Sequence, residues 1–235
     1  PSTGVLDQLR RSGFDGTPLP WGALEWAGPD DPEPRLLLSL VDYLPGAQDG
    51  WTWALQRIRD SVAHPSAKPL AAAATDVGHL VADFHLAMRP TAHPAAADDP
   101  AHWRAEALGD LDRALRVTRG AAHERLLGAA PAMRAAWAGI GERPRTVLRG
   151  HGDLHIGQVL HRDEPAGYWL VDFDGNPVTP AAERVRAQPA AQDVAGMAQS
   201  FSHLPSVLLR HEPETDRAAA LAAGQGAVAA FVAAY

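Results

Sequence analysis

The sequence predicts an α+β fold in which a mostly helical body carries one small β-hairpin. Two long parts of the chain, residues 49–140 and the residues from 192 onwards, have helical spacing or a helix-forming composition. Between them lie QVLHR (158–162) and GYWLVDF (167–173), two strand-like runs joined by the tight turn EPAG. Strands that lie this close in the chain and share a tight turn pair as an antiparallel hairpin.

The elements before the hairpin are predicted to be a strand followed by helices. The apolar run RLLLSLVDYL (35–44) predicts a buried strand that ends at a Pro-Gly turn, and WAGPDDPEP (26–34) predicts a connecting loop before it. Asp49 is a suitable N-cap, and Pro69 suits the first turn of a helix. The remaining predictions are helices over 49–62, 69–88 and roughly 101–140, the last with breaks near Gly120 and Ala130-Pro131, a loop over 91–102, and a further strand in RTVLRGH (145–151).

Composition argues against several classes of protein. The net charge of −7 argues against a general nucleic-acid-binding protein. The chain has no cysteine, so disulfides and thiolate metal sites are excluded. We expect no uncharged apolar run of the ~18 residues that a membrane span needs. The N-terminal residues also lack the basic-then-apolar pattern of a secretory signal.

The polar run GHGDLHIGQ (150–158) is the candidate functional segment. Asp153 lies in its glycine-rich part, and Gln158 and Asp172 begin and end the predicted hairpin. Because the two ends of a hairpin meet at one edge, these two side chains are expected to lie close together. Amide and carboxylate oxygens of this kind suit Mg²⁺, which takes one or two carboxylates together with phosphate oxygens. Asp153 is then free to orient or deprotonate a hydroxyl group.

HGDLHIGQ, followed by DFDG at 172–175, resembles the catalytic loop and metal motif of the aminoglycoside-phosphotransferase and protein-kinase-like superfamily. The resemblance implies a two-lobed fold that uses ATP and Mg²⁺. Residues 1–45 would be the remnant of an N-lobe with its hinge strand, and 46–235 a helical C-lobe. The roles implied are a catalytic base at Asp153, metal ligands at Gln158 and Asp172, loop supports at His151 and His155, and a nucleotide hinge at Asp42, Tyr43 and Leu44.

Within that superfamily, HGDLHIGQVL, YLPGAQDGW (43–51) and DVAGM (193–197) are similar to bacterial maltokinases and actinobacterial glucosamine kinases. The likeness implies a cytoplasmic sugar kinase that phosphorylates an amino sugar, with glucosamine giving glucosamine 6-phosphate. An amino sugar carries a cation, for which an aspartate is a natural partner. Asp193 with Gln188 or Gln192 is therefore expected at the 2-amino group and ring hydroxyls. Asp174 and Asn176 are further candidate sugar ligands.

Other functions stay open at this stage. A maltokinase that makes maltose 1-phosphate and an aminoglycoside phosphotransferase share the loop. No glycine-rich phosphate loop precedes residue 35, and the one lysine, Lys68, lies in a proline-flanked loop. Either most of the N-lobe lies outside the chain, which we favour, or the protein is a non-catalytic pseudokinase that binds sugar or nucleotide.

Two metal sites of other kinds are disfavoured. Asp172, Asp174, Asn176 and Glu183 match four positions of a calcium-binding EF-hand loop, but Pro177 occupies the position that needs glycine. His151 and His155 have the spacing of a helical zinc pair, but the glycines argue against a helix there. His79 and His85 in the 69–88 helix are expected to be packing or surface residues.

Overall fold

The computed structural model describes residues 2–28, 31–140, 146–179, 181–184 and 186–235. Within them the helices are α1 (Ser2–Arg11), α2 (Gly50–Ala63), α3 (Pro69–Met88), α4 (Asp99–Val117), α5 (Gly120–Ala138), α6 (Ala181–Arg184), α7 (Ala191–His211) and α8 (Arg217–Ala234). The strands are β1 (Pro20–Gly28), β2 (Asp31–Val41), β3 (His93–Pro94), β4 (Thr146–Val147), β5 (Val159–Asp163) and β6 (Ala166–Leu170). They pair as three antiparallel ribbons, β1–β2, β3–β4 and β5–β6. The predicted mixed, mostly helical composition is confirmed.

The chain divides into two compact units. One comprises the residues up to Thr91 together with Leu148–Tyr235, and the other comprises Ala92–Val147. The first unit contains α1–α3, the hairpin β5–β6 and α6–α8. The second contains the antiparallel pair of helices α4 and α5 and the short β3–β4 ribbon. All of the predicted site residues fall in the first unit.

The core of the first unit forms around α3. This helix begins at Pro69, as predicted, and packs against α1, α2, α8 and β6. Asp49 caps α2 by accepting hydrogen bonds from the backbone N–H groups of Trp51 and Thr52, which confirms the predicted start of that helix. The largest side chains that are fully buried include Trp53, Phe84, Phe201, Phe231 and Met88. The hairpin and its preceding loop therefore pack against these helices.

Several elements differ from the sequence prediction. Residues 26–28 and 31–34, expected in a connecting loop, lie in β1 and β2. Residues 35–41 of the predicted 35–44 strand lie in β2, but the strand is largely exposed instead of buried. Leu38 and Leu40 are 57% and 58% accessible, because among the described residues β2 pairs with β1 alone. Pro131 lies inside α5 and does not break it, so only the break before Gly120 is confirmed. The N-terminal residues form α1, which the sequence patterns did not predict.

The last helix corrects the expectation about apolar runs. Residues 218–235 carry no charge, and α8 is long and apolar enough to cross a membrane by length and composition. One face of α8 is nevertheless buried against α3 and α7, at Ala220, Gly224, Ala227 and Phe231. Core helices pass the same length and composition test, so this finding does not by itself make α8 a membrane span.

Candidate active site

The hairpin brings Gln158 and Asp172 together, as the sequence predicts. Val159 pairs with Leu170 in the first register position of β5–β6, so the residues just outside it meet at the open end. The Gln158 side-chain N–H donates to Asp172 Oδ2 at 3.0 Å, and the backbone of Val171 donates to the Gln158 carbonyl. The two predicted metal ligands are therefore neighbours at one edge of the hairpin.

The loop before the hairpin carries Asp153 beside His155. His155 Nε2 lies 4.0 Å from Asp153 Oδ2 and 3.5 Å from the Gln158 side-chain nitrogen. His155 Nδ1 accepts a hydrogen bond from the Gly157 N–H at 3.0 Å. Because Nδ1 is an acceptor, the hydrogen of a neutral ring is on Nε2, the atom that faces Asp153 and Gln158. His155 thus lies between the predicted base and the predicted metal ligands.

His151, the second residue of the loop, is almost completely buried. Its Nε2 donates to the Val171 carbonyl oxygen at 2.9 Å, which ties the loop to the end of β6 just before Asp172. Phe173 packs on the same ring with a centroid distance of 5.0 Å. Burial lowers the pKa of His151, although the charges of Asp193, Asp172 and Asp153 oppose the change. A neutral His151 therefore packs against Phe173 and ties the loop to Val171.

Asp193 binds the loop backbone. Its Oδ2 accepts from the His151 N–H at 2.8 Å and its Oδ1 accepts from the Gly152 N–H at 3.0 Å. His85 Nε2 contacts Oδ2 at 3.1 Å. Burial alone would raise the pKa of Asp193, but the hydrogen bond from His85 and the interactions with His151 hold it below the ordinary value. The carboxylate is 4% exposed, and its oxygens are engaged by the residues that immediately precede Asp153.

Glycine is required at two positions around this loop. Gly152 has a φ of +83°, a conformation that L side chains rarely adopt. Gly196 lets α7 approach the loop backbone, because a Cβ there would lie 2.4 Å from the Leu154 carbonyl oxygen. Ser200, one turn further along α7, accepts a hydrogen bond from the Ile156 N–H at 3.1 Å. Helix α7 therefore holds the loop on both sides of Asp153.

The segment after β6 turns sharply. Asp172 has a φ of +66°, Phe173 is buried against Phe84, and Asp174 is exposed. The Asn176 side-chain oxygen accepts from the Val178 N–H at 3.0 Å and so fixes the following turn. The positive φ of Asp172 is costly for a residue other than glycine. Such a backbone conformation occurs where the surrounding structure fixes it, often at functional sites.

Three of the predicted sugar ligands line one cleft. Asn176, Gln188 and Gln192 surround it together with Gly150 and Gly152 of the loop, and its cavity volume is about 40 Å³. The remaining lining residues are Thr179, Glu183, Arg184 and Arg186. Asp193 lies under the loop glycines and faces the loop backbone.

The predicted hinge directly follows β2. The Asp42 N–H donates to the Leu19 carbonyl, and the Trp21 indole N–H donates to Asp42 Oδ1 at 2.6 Å. Tyr43 is 84% exposed, and the Ala47 N–H donates to the Leu44 carbonyl in the turn that leads to α2. These residues connect the β1–β2 ribbon to the helical body.

The oxygen-bearing side chains at the open end of the hairpin are of the kind that Mg²⁺ takes as ligands. Among the described residues, no group of three or more His, Asp or Glu side chains converges to hold an ion. His151 donates to a backbone carbonyl and is buried, so the zinc pair with His155 does not form. Gln158 and Asp172 supply two oxygen-bearing groups, which is what Mg²⁺ requires when phosphate oxygens and water complete its coordination.

Sequence reasoning missed the contribution of His85. It had been expected to be a packing or surface residue, but it contacts both Asp193 and the hydroxyl of Tyr235. A signal was available: His85 lies between Val81 and Met88 on the apolar face of α3, where an unpaired polar ring is unfavourable.

No known family profile matches the chain. It is 42% identical over 213 residues to a glucosamine kinase of Mycolicibacterium smegmatis, which covers 90% of this chain and 53% of that protein. It is 39% identical over 246 residues to a glucosamine kinase of Streptacidiphilus jiangxiensis, which covers 100% of this chain and 53% of that protein.

Solved structures give the same likeness. A glucosamine kinase in complex with glucosamine, ADP and inorganic phosphate superposes with a TM-score of 0.93 at 38% identity, covering 100% of this chain and 59% of that one. Another glucosamine kinase structure, crystal form A, gives a TM-score of 0.91 at 37% identity and covers 100% and 55%. The chain is therefore similar throughout to glucosamine kinases, as the motifs predicted, and spans about half the length of the relatives that it matches.

Proposed function

We propose that the full-length protein containing this chain transfers the γ-phosphoryl group of ATP to a hydroxyl group of glucosamine, giving glucosamine 6-phosphate. The observation that carries the proposal is the meeting of Gln158 and Asp172 at the open end of the hairpin, with His155 lying between them and Asp153. The relative solved with glucosamine, ADP and inorganic phosphate supports both substrates.

Asp153 is the proposed catalytic base. Its side chain is 24% exposed, so a hydroxyl group can reach it, while the loop that carries it is fixed from below by Asp193 and His151. The carboxylate would orient the attacking hydroxyl and accept its proton as the new P–O bond forms. Phosphoryl transfer depends mainly on positioning and electrostatics. The main role of the loop is therefore to hold the Asp153 carboxylate in place.

Gln158 and Asp172 are the proposed metal ligands. The Gln158 amide already points at Asp172, and rotation of the amide about its last bond would turn its oxygen to the same position. Mg²⁺ held there would bind phosphate oxygens of ATP and offset their charge. His155 supports this arrangement, since its Nε2 lies beside both Gln158 and Asp153.

The cleft beside the loop is the proposed sugar site. Asn176, Gln188 and Gln192 would hydrogen-bond ring hydroxyls, and the exposed Asp174 carboxylate lies close by in sequence. The expected contact between Asp193 and the 2-amino group is not part of this proposal, because both Asp193 oxygens already accept hydrogen bonds in a buried position. Asp193 acts on the sugar only through the loop.

The proposed architecture is the two-lobed, kinase-like one, with residues 1–45 belonging to the N-lobe and 46–235 to the C-lobe. The residues Asp42–Leu44 would then meet the adenine ring of ATP through their backbone. An exposed ribbon with apolar residues along both strands supports this assignment, because an isolated two-stranded ribbon is only marginally stable in water. We further propose a cytoplasmic enzyme with small-molecule partners, and no nucleic-acid or membrane partner.

The test is a comparison of acceptors with the full-length protein. Turnover of glucosamine, N-acetylglucosamine and maltose is measured with ATP and Mg²⁺. With the exposed Asp174 as the proposed partner of the amino group, loss of that charged group should lower kcat/KM by about 10–100-fold, the value of a charge-assisted hydrogen bond. A preference for maltose would refute the proposal in favour of a maltokinase, and nucleotide binding without turnover of any acceptor would indicate a pseudokinase.

A further inference from the structure

His85 and Tyr235 form a hydrogen-bonded chain that ends at the carboxylate of Asp193. His85 Nε2 lies 3.1 Å from Asp193 Oδ2, and His85 Nδ1 lies 2.9 Å from the Tyr235 hydroxyl oxygen. The two rings pack edge to face at a centroid distance of 5.5 Å. His85 is 7% exposed, so water does not easily replace these contacts. None of the proposed catalytic steps uses either side chain directly.

The two contacts of His85 determine which nitrogen carries its hydrogen. An ionised Asp193 carboxylate only accepts hydrogen bonds, so Nε2 must be the donor. In a neutral ring Nδ1 is then an acceptor, and the Tyr235 hydroxyl supplies the hydrogen. Tyr235 therefore favours the tautomer in which His85 donates to Asp193.

Close packing of α3 and α8 keeps Tyr235 beside His85. A Cβ added to Gly78 of α3 would lie 2.7 Å from the Phe231 carbonyl oxygen and 2.8 Å from Ala234 Cβ. The Tyr235 N–H also donates to the Phe231 carbonyl at 3.0 Å, which continues the helical pattern. The hydroxyl is therefore presented by a tightly packed pair of helices.

We propose that His85 and Tyr235 are positioning residues for the phosphoryl transfer. They hold Asp193 in the orientation that accepts the N–H groups of His151 and Gly152, the two residues directly before Asp153. The inference rests on the proposed function, because Asp153 matters to turnover only if it is the base.

The test uses three variants of the full-length protein. His85→Leu removes the donor and should lower kcat by about 10–100-fold, the usual effect of losing a group that orients an active-site residue. His85→Gln restores an N–H donor and should recover part of that loss. Tyr235→Phe removes only the hydroxyl and should lower kcat by a smaller factor. KM for the sugar and for ATP should change by less than about twofold, since neither side chain touches substrate.

His79→Leu is the matched control, because His79 is an exposed histidine of the same helix and should leave kcat unchanged. NMR supplies a readout besides activity. Tyr235→Phe should change the ¹⁵N shift of His85 Nδ1, which loses its hydrogen-bond donor, and should shift the amide signals of His151 and Gly152.

Unchanged amide signals in Tyr235→Phe would overturn the inference whatever happens to kcat. So would an unchanged kcat in His85→Leu and His85→Gln, or a KM that rises in parallel with the loss of kcat. If the unmodified protein does not phosphorylate glucosamine but the two amide signals still shift in Tyr235→Phe, the proposed function fails while the contact chain from Tyr235 to the loop stands.

Discussion

The glycine-rich loop at 150–158 and the ribbon β1–β2 reverse the usual relation between polarity and burial. The loop is among the most polar runs of the chain, yet His151 and Ile156 within it are 1% and 0% exposed. The ribbon contains the apolar run at 35–41, yet Leu38 and Trp21 are 57% and 67% exposed. A polar segment can be buried where most of its polar atoms find partners, and an apolar one is exposed where no other layer covers it.

The difference indicates which segment finds its packing partners within this chain. Three contacts hold the loop: hydrogen bonds with α7, the contact of His85 in α3 with Asp193, and the bond of His151 to Val171, which follows β6. All lie within one compact unit. In the described part of the chain, each strand of the ribbon pairs only with the other strand. Both strands expose leucine or tryptophan side chains to solvent. The loop is thus preorganised for chemistry, whereas the ribbon has the character of a surface that another layer covers.

The largest expected effect concerns the group that the loop presents. Asp153→Asn keeps the size of the side chain but removes the base, so kcat should fall by about 10²–10⁴-fold, the usual contribution of general acid–base catalysis. Nucleotide binding, measured by calorimetry, should be unchanged. Asp110→Asn, an exposed aspartate of α4, is the matched control. Unchanged turnover in Asp153→Asn would remove the mechanism.

The next effect separates metal binding from base catalysis. Asp172→Asn should weaken Mg²⁺-dependent binding of ADP by about 10–100-fold, because the variant keeps a hydrogen-bonding group for Gln158 but loses the charge that a divalent cation requires. Titrations with and without Mg²⁺ give the comparison, and binding without Mg²⁺ should not change. Equal affinity of both proteins for ADP in Mg²⁺ would place the metal elsewhere.

The ribbon gives the third prediction. If the proposed N-lobe covers it, Leu38→Ala in the full-length protein should lower the free energy of unfolding by about 2 kcal/mol, as for a buried leucine. Leu86, which is 64% exposed on α3, provides the control, and Leu86→Ala should stay within about 0.5 kcal/mol. Denaturant unfolding measures both. Equal small effects would mean that the ribbon stays exposed, against the two-lobed proposal.

The sequence predicted the chemistry of the loop better than its support. Gln158 and Asp172 could be paired because hairpin geometry is local, and Asp49 and Pro69 could be assigned because helix starts depend on a few neighbouring residues. The bond from His85 to Asp193 joins residues 108 apart in the chain, and no local pattern encodes it.

Burial in the ribbon could not be predicted for a related reason. The apolar run of β2 has the composition of a buried strand, but composition does not say whether a second layer covers it. Pro131 inside α5 is a similar case, since the rule that proline breaks helices did not hold at that position. Long-range packing decides both outcomes.

The smallest expected effect concerns the pKa of His151, which burial of the ring away from water lowers. Burial lowers the pKa of His151, so the folded protein keeps this ring neutral while the unfolded chain binds a proton below about pH 6.5. The unfolded state then binds more protons, and the contribution of His151 to the free energy of unfolding decreases as the pH falls through the interval between the two pKa values. Asp193 acts in a different window, because its lowered pKa adds stability that is lost only below about pH 4.

NMR of the histidine rings measures the His151 effect directly. The His151 ring signals should remain those of the neutral form at pH values where a free imidazole is protonated. A titration midpoint at or above the ordinary value would contradict the prediction, because it would mean that water or a carboxylate stabilises a charged ring under the loop. A neutral His151 would instead agree with its buried position, where the ring donates one hydrogen bond to the Val171 carbonyl oxygen.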